Sequence, residues 1–428
     1  MTTTTPGPPG PPGPPGAPSP PLPAAAAAPR STYRSVFAVR EFRVLFAAQL
    51  MYVLGFEFEI LGLSVLVYDQ TRSAFFTALA FSMGFAPQVI GGALFTALAD
   101  RLPPRLVIGA GLAIRAAPGL VIGLWPAWPV PVMLALVAVT AMAAPVFSAA
   151  ISGLLTEVAD GDRYVLARSV FNLTGSGTQI IGLGIGGAVL AVVPARWLLL
   201  AAGLSLGVAG VISQLGLKPR PARAGQGRTD QGHPGRDGAG RGRAGRARGI
   251  LGATIAGNLE LFADRKIRGL LLAQWLPAWC VVGAESLIVP YAGSLGRPAS
   301  AAGPLLAAMP AGMLLGDVLV ARFARPAVRG RLAFPLAAGM GVPLLALAFR
   351  LPLPLAGVLL LICGSGFAYQ LGIQQAFLVS LPEHSRAQAF GLNSTGAMGG
   401  QGLTPAAAGA LALAVGAGPV MAIAGALT

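Results

Sequence analysis

Five ionisable residues lie inside long apolar runs of this 428-residue chain, and their chemistry needs an explanation. They are Glu57, Glu59, Arg115, Glu285 and Asp317. Because a charged side chain costs roughly 2.5–3.5 kcal/mol at the centre of a bilayer, each of them needs a partner or a water-filled cavity. Burial also disfavours the charged form of a carboxyl group, so a glutamate in a membrane is a candidate proton carrier.

The three glutamates are the candidates for proton coupling. Counted at about 1.5 Å per residue from Arg43, Glu57 and Glu59 lie about 21 and 24 Å along one helix. Glu285 lies about 25 Å from Arg268 along another, so two separate helices carry a glutamate at a similar depth. Glu57 and Glu59 are about 200° apart around their helix, so at most one faces a cavity squarely and the other needs a partner. The alternative role for each glutamate is to keep an outer vestibule polar.

Arg115 lies about 15 Å into its helix, near the middle of the membrane. It can bind an anionic substrate group, but an ion pair within the N-terminal bundle is the favoured explanation. Asp317 precedes Arg322 by five residues, and we expect an ion pair between them at the inner membrane interface. Four further polar residues are candidates for the lining of a substrate-binding cavity between the helices. Their alternative role is to form hydrogen bonds between helices. They are Gln49, Gln274, Asn172 and Asn393.

The composition indicates that helices in a membrane position these residues. The chain is 54% hydrophobic and 11% charged, whereas soluble proteins carry about 25% charged residues. Its apolar runs approach or exceed the roughly 20 residues that span a bilayer and lack the alternation of barrel strands. The sequence therefore predicts an all-α polytopic membrane protein. Its expected segments are 43–68, 73–98, 104–125, 128–156, 164–192, 196–217, 268–292, 299–322, 329–350, 353–380, 386–414 and 416–428.

The chain divides into two halves that resemble each other. Arg43-VLFAA-Gln49 matches Arg268-GLLLA-Gln274, and a second pair of matching stretches begins at residues 163 and 386. We predict a disordered cytoplasmic tail over 1–34, a six-helix bundle over 35–217, a basic cytoplasmic linker over 218–267 and a second bundle over 268–428. The bundles should be related by pseudo-two-fold symmetry. The last segment covers only about 20 Å, so we expect a truncated twelfth helix.

The positive charges predict the orientation. With the N-terminus in the cytoplasm, four basic residues fall outside and Arg115 falls within the membrane, which leaves 25 of 30 on the inner side. The chain's net charge of +15 therefore reflects topology and does not indicate nucleic acid binding. No motif for a metal, a cofactor or enzymatic catalysis is present. We expect a multi-pass protein of the plasma membrane, a monomer whose partners are the lipid bilayer, protons and a small-molecule substrate.

The hairpin ALADRLPPR, residues 97–105, lies between two apolar runs and resembles a motif of the major facilitator superfamily. Asp100, Arg101 and Arg105 match the loop G-x-x-x-D-R-x-G-R-R that joins helices 2 and 3 in that family. The resemblance implies that these three residues lock and release the inner gate against helix 11. The stretch TQIIGLGIGG, residues 178–187, is similar to the family's antiporter motif G-x-x-x-G-P-x-x-G-G, although Thr178 and Leu183 depart from it.

Together with VYDQTRSA at 67–74 and PEHSRAQAFG at 382–391, these motifs resemble most the macrolide and siderophore exporter-like branch of the superfamily. The resemblance implies a secondary active transporter that exports a small lipophilic or amphipathic compound by alternating access, driven by protons. The same fold also allows uptake or facilitated diffusion, and a sensor or assembly protein that transports nothing.

Overall fold

The structure is a computed structural model, and it describes residues 33–95, 101–125, 127–159, 162–190, 192–221, 257–382 and 385–428. Most of the predicted tail over 1–34 and most of the predicted linker over 218–267 fall outside these ranges, as does Asp100 of the hairpin.

Twelve helices, α1 to α12, form the membrane part of the described chain and follow a short helix at Tyr33–Phe37. Their bounds agree with the predicted apolar segments to within a few residues, and four of the helices are divided into two pieces. Their bounds are α1 Arg40–Thr71, α2 Ala74–Met83 and Ala86–Phe95, α3 Pro104–Leu124, α4 Val130–Ala141 and Ala144–Val158, α5 Asp162–Leu190, α6 Ala195–Gly216, α7 Arg265–Glu285 and Ile288–Ser294, α8 Ala302–Phe323, α9 Pro326–Ala346, α10 Leu353–Ser365 and Tyr369–Ser380, α11 Arg386–Val415 and α12 Ala417–Leu427.

The predicted all-α membrane architecture is confirmed. Within the described residues, nine helices are long and apolar enough to cross a membrane, namely α1 to α4 and α6 to α10. The apolar part of α5, Gly177–Leu190, is shorter, and α12 has 11 residues. At about 1.5 Å per residue, α12 covers roughly 16 Å, which is about half of the hydrocarbon thickness.

Proline explains three of the four helix breaks. Pro87 lacks the N–H that would bond to the carbonyl of Met83, and the first piece of α2 ends at Met83. Pro145 stands in the same relation to the end of the first piece of α4. In α7, Pro290 leaves the carbonyl of Ser286 without its helical donor. The break in α7 therefore follows directly after Glu285.

The two halves pack alike internally. In the N-terminal half α6 lies against α1 and α3, and in the C-terminal half α12 lies against α7 and α9. Between the halves, α5 packs against α8, and α2 packs against α11. The arrangement matches two six-helix bundles with equivalent positions for equivalent helices.

The hydrophobic cores show where the halves meet. We call the membrane face where α1 ends at Thr71 the outer face, and the face where it begins at Arg40 the inner face, following the predicted topology. Toward the outer face one cluster combines residues of both halves, for example Leu61 and Val65 with Ala284. Toward the inner face each half has a cluster of its own. The halves therefore share a core only in the outer part of the protein.

Candidate functional site: a membrane cavity between the two halves

A cavity of about 320 Å³ lies between the halves, and we call it the central cavity. Both halves line it, through α1, α2 and α5 on one side and α7, α8, α10 and α11 on the other. Its lining residues are Phe56, Glu57, Ile60, Phe81, Phe85, Gln179, Leu183, Val282, Glu285, Leu306, Met309, Pro310, Met313, Phe367 and Gln401.

The lining of the central cavity is mostly apolar and aromatic. Its polar members are two glutamates and two glutamines, and no basic side chain occurs among the described lining residues. Aromatic and apolar walls with a few polar groups are typical of sites for small molecules. The cavity can therefore hold a small lipophilic body and offer it carboxyl and amide groups.

The structure brings Glu57 and Glu285 together at this cavity. Glu57 comes from the first helix of the N-terminal half and Glu285 from the first helix of the C-terminal half. Glu57 is buried and Glu285 is partly buried, and the Glu57 carboxyl group lies close enough to Glu285 to feel its charge. Two like charges in one buried site disfavour simultaneous ionisation, so the cavity can take up a proton.

Glu59 points away from this pair and forms an ion pair with Arg115. Its Oε2 lies 2.9 Å from Nη2 of Arg115, and the two residues are 2% and 1% exposed. The guanidinium group also lies 5.8 Å from the ring centre of Phe56. The ring of Phe56 in turn lines the central cavity. Arg115 is thus held within the N-terminal bundle, and it is not a lining residue of the central cavity.

The glycines of the antiporter-like motif occupy close helix contacts. Gly182 lies against the side chain of Glu57, and Gly186 lies against Leu61. Gly187 meets the backbone of Gly303 in the other half so closely that a Cβ atom on either residue would overlap its partner. Glycine is therefore required at this crossing of α5 and α8.

Further contacts close the outer side of the central cavity. The side chain of Tyr68 on α1 packs against Gly293 on α7. Nearer the middle of the membrane, the hydroxyl of Ser82 on α2 donates to the carbonyl of Gly402 on α11. Among the described residues, the buried cores of the two halves are joined toward the outer face and separate toward the inner face, and these contacts close the outer side of the cavity.

Gln274 and Asn393 form a hydrogen-bond network inside the C-terminal half and do not line the central cavity. Asn393 Nδ2 donates to Gln274 Oε1 over 3.2 Å, and Asn393 Oδ1 accepts from the indole of Trp275 over 2.9 Å. The Tyr369 hydroxyl donates to the backbone carbonyl of Gln274 over 2.7 Å. These contacts join α7, α10 and α11, which is the interhelical alternative that the sequence left open.

Gln49 and Asn172 lie in the inner part of the N-terminal half. Gln49 lines a second, separate cavity of about 210 Å³ between α1, α4 and α5. Asn172 belongs to α5, but its side chain lies outside the described residues. The structure therefore places Gln49 away from the central cavity and leaves the prediction for Asn172 as it stands.

Two of the three predicted gating residues can be located. Arg101 is exposed, and Arg105 Nε donates to Gln214 Oε1 of α6 over 3.2 Å. The amide of Gln214 donates in return to the carbonyl of Arg105 over 3.0 Å. In this structure Arg105 is thus bound within its own half, and Asp100 lies outside the described residues.

The expected ion pair between Asp317 and Arg322 is wrong. Both residues are exposed, and the ion pairs of the described part of the chain do not include them. Five residues correspond to about 140° around a helix, so the two side chains leave α8 on different sides.

Sequence reasoning missed an ion-pair network at the inner face. Arg220, just after α6, donates through Nη1 and Nη2 to the two oxygens of Glu41 over 2.9 and 2.8 Å. Its Nε lies 3.4 Å from an oxygen of Glu157 at the end of α4. An acidic residue at the inner end of α1, among the basic residues Arg40 and Arg43, is the signal that could have indicated it.

A comparison of the sequence with family models shows which family the chain belongs to. The family model described as Major Facilitator Superfamily matches residues 45–405 of this chain. The chain belongs to the major facilitator superfamily. No curated protein has a significant sequence match to it.

Solved structures of other transporters share the fold. A transporter of the POT family in complex with 5-aminolevulinic acid has a TM-score of 0.68 at 11% identity, and the match covers 93% of this chain and 95% of that one. The nucleoside transporter NupG has a TM-score of 0.66 at 13% identity, with coverage of 91% and 96%. A bacterial homolog of the human lysosomal transporter Spinster, in an inward-facing and unoccupied conformation, has a TM-score of 0.60 at 18% identity, with coverage of 86% and 81%. At these identities the likeness concerns the fold.

Proposed function

We propose that this protein is a proton-coupled exporter of small lipophilic or amphipathic compounds that works by alternating access in the plasma membrane. One observation carries the proposal: Glu57 and Glu285, from equivalent helices of the two halves, line the same apolar cavity. A carboxyl pair that cannot easily hold two charges is suited to bind a proton in one conformation and release it in the other.

The distribution of contacts supports alternating access. The crossing of Gly187 and Gly303 and the contact of Tyr68 with Gly293 join the halves toward the outer face. The buried cores of the two halves are separate toward the inner face, and we expect the central cavity to open there to the cytoplasm, where an exporter collects its substrate. Opening the outer contacts while closing the inner ones then releases the substrate outside. We assign the closing of the inner side to the hairpin residues Asp100, Arg101 and Arg105.

The walls of the central cavity support a lipophilic substrate. Phe56, Phe81, Phe85 and Phe367 provide aromatic surfaces, and Met309 and Met313 are flexible enough to adapt to different shapes. Gln179 and Gln401 add amide groups that can orient a polar end of the substrate. The cavity therefore fits amphipathic compounds better than highly hydrated ones.

Transport in proteoliposomes tests the proposal. We expect purified protein to move rhodamine 6G or Nile red against a concentration gradient when a pH gradient is imposed, and a protonophore should abolish this movement. A variant with both Glu57→Gln and Glu285→Gln should lose the response to the pH gradient. Glu260→Gln, which changes an exposed acid of the short helix before α7, should behave like the wild type.

The outcomes separate the alternatives. Movement that only follows the concentration gradient and ignores pH would indicate facilitated diffusion. Accumulation in the opposite direction under the same gradient would indicate uptake. If a broad panel of dyes gives no movement in either direction, the role of a sensor or assembly protein becomes the better explanation.

A further inference from the structure

The second cavity, between α1, α4 and α5, is rich in hydrogen-bond donors. Its polar lining consists of Gln49, Ser148, Ser152, Tyr164 and Arg168. No carboxylate occurs among its described lining residues, so its electrostatic character is opposite to that of the central cavity. We call it the basic cavity.

Arg168 gives the basic cavity its charge. Its Nη1 donates to the hydroxyl of Tyr164 over 3.0 Å, one turn earlier on α5. The described part of the chain supplies no carboxylate partner for its guanidinium group, unlike Arg115 and Arg220. A guanidinium group that keeps free N–H groups beside hydroxyls is suited to bind a carboxylate or a phosphate through charge-assisted hydrogen bonds.

Ser148 and Ser152 are exposed and one turn apart on α4, so both lie on the same side of the helix. Together with the amide of Gln49 they can surround an anionic group that Arg168 binds. Ile151, Leu155 and Phe171 supply the apolar part of the wall. The basic cavity therefore fits the charged end of an amphipathic molecule and the first part of its apolar body.

A row of aromatic rings, Tyr52 and Phe56 on α1, lies between the basic cavity and the central cavity. The buried ring of Phe147, next to Ser148, lies edge-on to Tyr52 with ring centres 4.8 Å apart and supports it from behind. Tyr52 stacks on Phe56 at 6.2 Å, and Phe56 lines the central cavity.

The basic cavity lies well away from the two glutamates of the central cavity. Gln49 and Glu57 are eight residues apart, which is about 12 Å along α1. This distance separates an anion at Arg168 from the two glutamates, which would repel it.

We propose that the basic cavity is a loading subsite for substrates that carry a carboxylate, with Arg168 as the residue that binds the anion. The proposal rests on the proposed function and deepens it, since it names one chemical class among the exported compounds. The carboxylate stays near the inner face while the apolar body follows the aromatic row toward the central cavity.

An equilibrium binding experiment tests the subsite without any gradient, so it can succeed even if the proposed proton coupling fails. Dansylglycine carries a carboxylate, and its amide carries the same fluorophore without the charge. We expect wild-type protein in nanodiscs of neutral lipid to bind dansylglycine about tenfold more tightly than the amide, as a charge-assisted hydrogen-bond pair provides. Arg168→Gln should remove most of this preference, whereas Arg168→Lys should keep part of it.

Matched variants control the experiment. Arg163 is an exposed arginine of the same helix that does not line the basic cavity, and Arg163→Gln should keep the wild-type preference. Ser152→Asp places a negative charge at an exposed position of the lining. It should weaken the binding of dansylglycine more than the binding of the amide. This second variant keeps the test decisive if Arg168→Gln folds poorly.

Three results would overturn the proposal. One is equal affinity of the wild type for the two probes, and another is an unchanged preference in both Arg168→Gln and Ser152→Asp. The third is displacement of dansylglycine when anionic phosphatidylglycerol replaces a quarter of the neutral lipid, because the basic cavity would then take a lipid phosphate and not a substrate carboxylate.

Discussion

Glu59 and Arg115 form a buried ion pair that is only partly satisfied. Glu59 Oε2 lies 2.9 Å from Arg115 Nη2, but Glu59 Oε1 and the Nε and Nη1 groups of Arg115 have no hydrogen-bond partner in the described part of the structure. Buried polar groups without partners are unfavourable, so the two charges depend on each other. The pair therefore fixes α1 against α3 and holds Phe56 at the wall of the central cavity.

We expect Glu59→Gln to destabilise the protein by roughly 3–5 kcal/mol, because it leaves the charge of Arg115 buried without an ionised partner. The double variant Glu59→Gln with Arg115→Met should recover much of this loss, since it removes both charges. The measurement is the melting temperature of the purified variants in detergent. A melting temperature for Glu59→Gln equal to that of the wild type would contradict the ion pair's structural role.

The central carboxyl pair predicts a separation of binding from coupling. A glutamine imitates the protonated form of a glutamate, so Glu285→Gln and Glu57→Gln should each bind rhodamine 6G within about threefold of the wild type while losing pH-dependent export. Binding is measured by fluorescence polarisation and export in proteoliposomes at several pH values. If both single variants keep the wild-type pH profile, carboxylate-coupled antiport through the central cavity is wrong.

Sequence reasoning located the helices because their positions follow from hydrophobic length. It also showed that Glu57 and Glu59 must face different sides, although it could not assign Glu59 to Arg115. Contacts between helices distant in sequence, such as Gln214 with Arg105, depend on packing that no local pattern encodes. The expected pair of Asp317 and Arg322 failed because proximity in sequence was used without helical phase.

The crossing of α5 and α8 predicts a difference between two neighbouring glycines. Gly187→Ala should abolish most transport, because its Cβ would overlap the backbone of Gly303 and push the outer sides of the two halves apart. Gly184→Ala is the matched control, since nothing lies within 4 Å of its added Cβ.

Cysteine labelling measures the state of the outer side. In a background without native cysteines, Leu306→Cys places a thiol in the lining of the central cavity. A membrane-impermeant maleimide added from the outer face should label it several-fold faster when Gly187→Ala is present. Equal labelling rates in both backgrounds, together with normal transport by Gly187→Ala, would show that this crossing does not gate the cavity.

The hairpin between α2 and α3 predicts that Asp100→Asn reduces transport more than Arg105→Lys. Asp100 is the only acid of its loop, so its replacement by asparagine removes a charge that no other loop residue supplies. Arg105 has Gln214 as its described partner, and a lysine at this position keeps the positive charge that sets the topology. Initial export rates at matched membrane expression are the measurement. Wild-type export by Asp100→Asn would exclude the predicted gating role of the hairpin.

The ion-pair network at the inner face predicts that Arg220 fixes the start of the basic linker to the N-terminal bundle. Its hydrogen bonds to Glu41 raise the pKa of Arg220 above its ordinary value, so the side chain stays charged at every pH at which the protein is handled.

Since the side chains of Arg220 and Glu41 are partly shielded from water, at 25% and 11% exposure, the bidentate pair should contribute about 1–3 kcal/mol. Arg220→Ala should therefore lower the melting temperature by several degrees. Arg220→Lys should recover only part of the loss, because a lysine cannot form the two parallel bonds. Lys218 provides the control: it donates to Glu41 through its backbone N–H, so Lys218→Ala keeps that bond and should melt like the wild type. If Arg220→Ala and Lys218→Ala melt at the same temperature, the network does not anchor the linker.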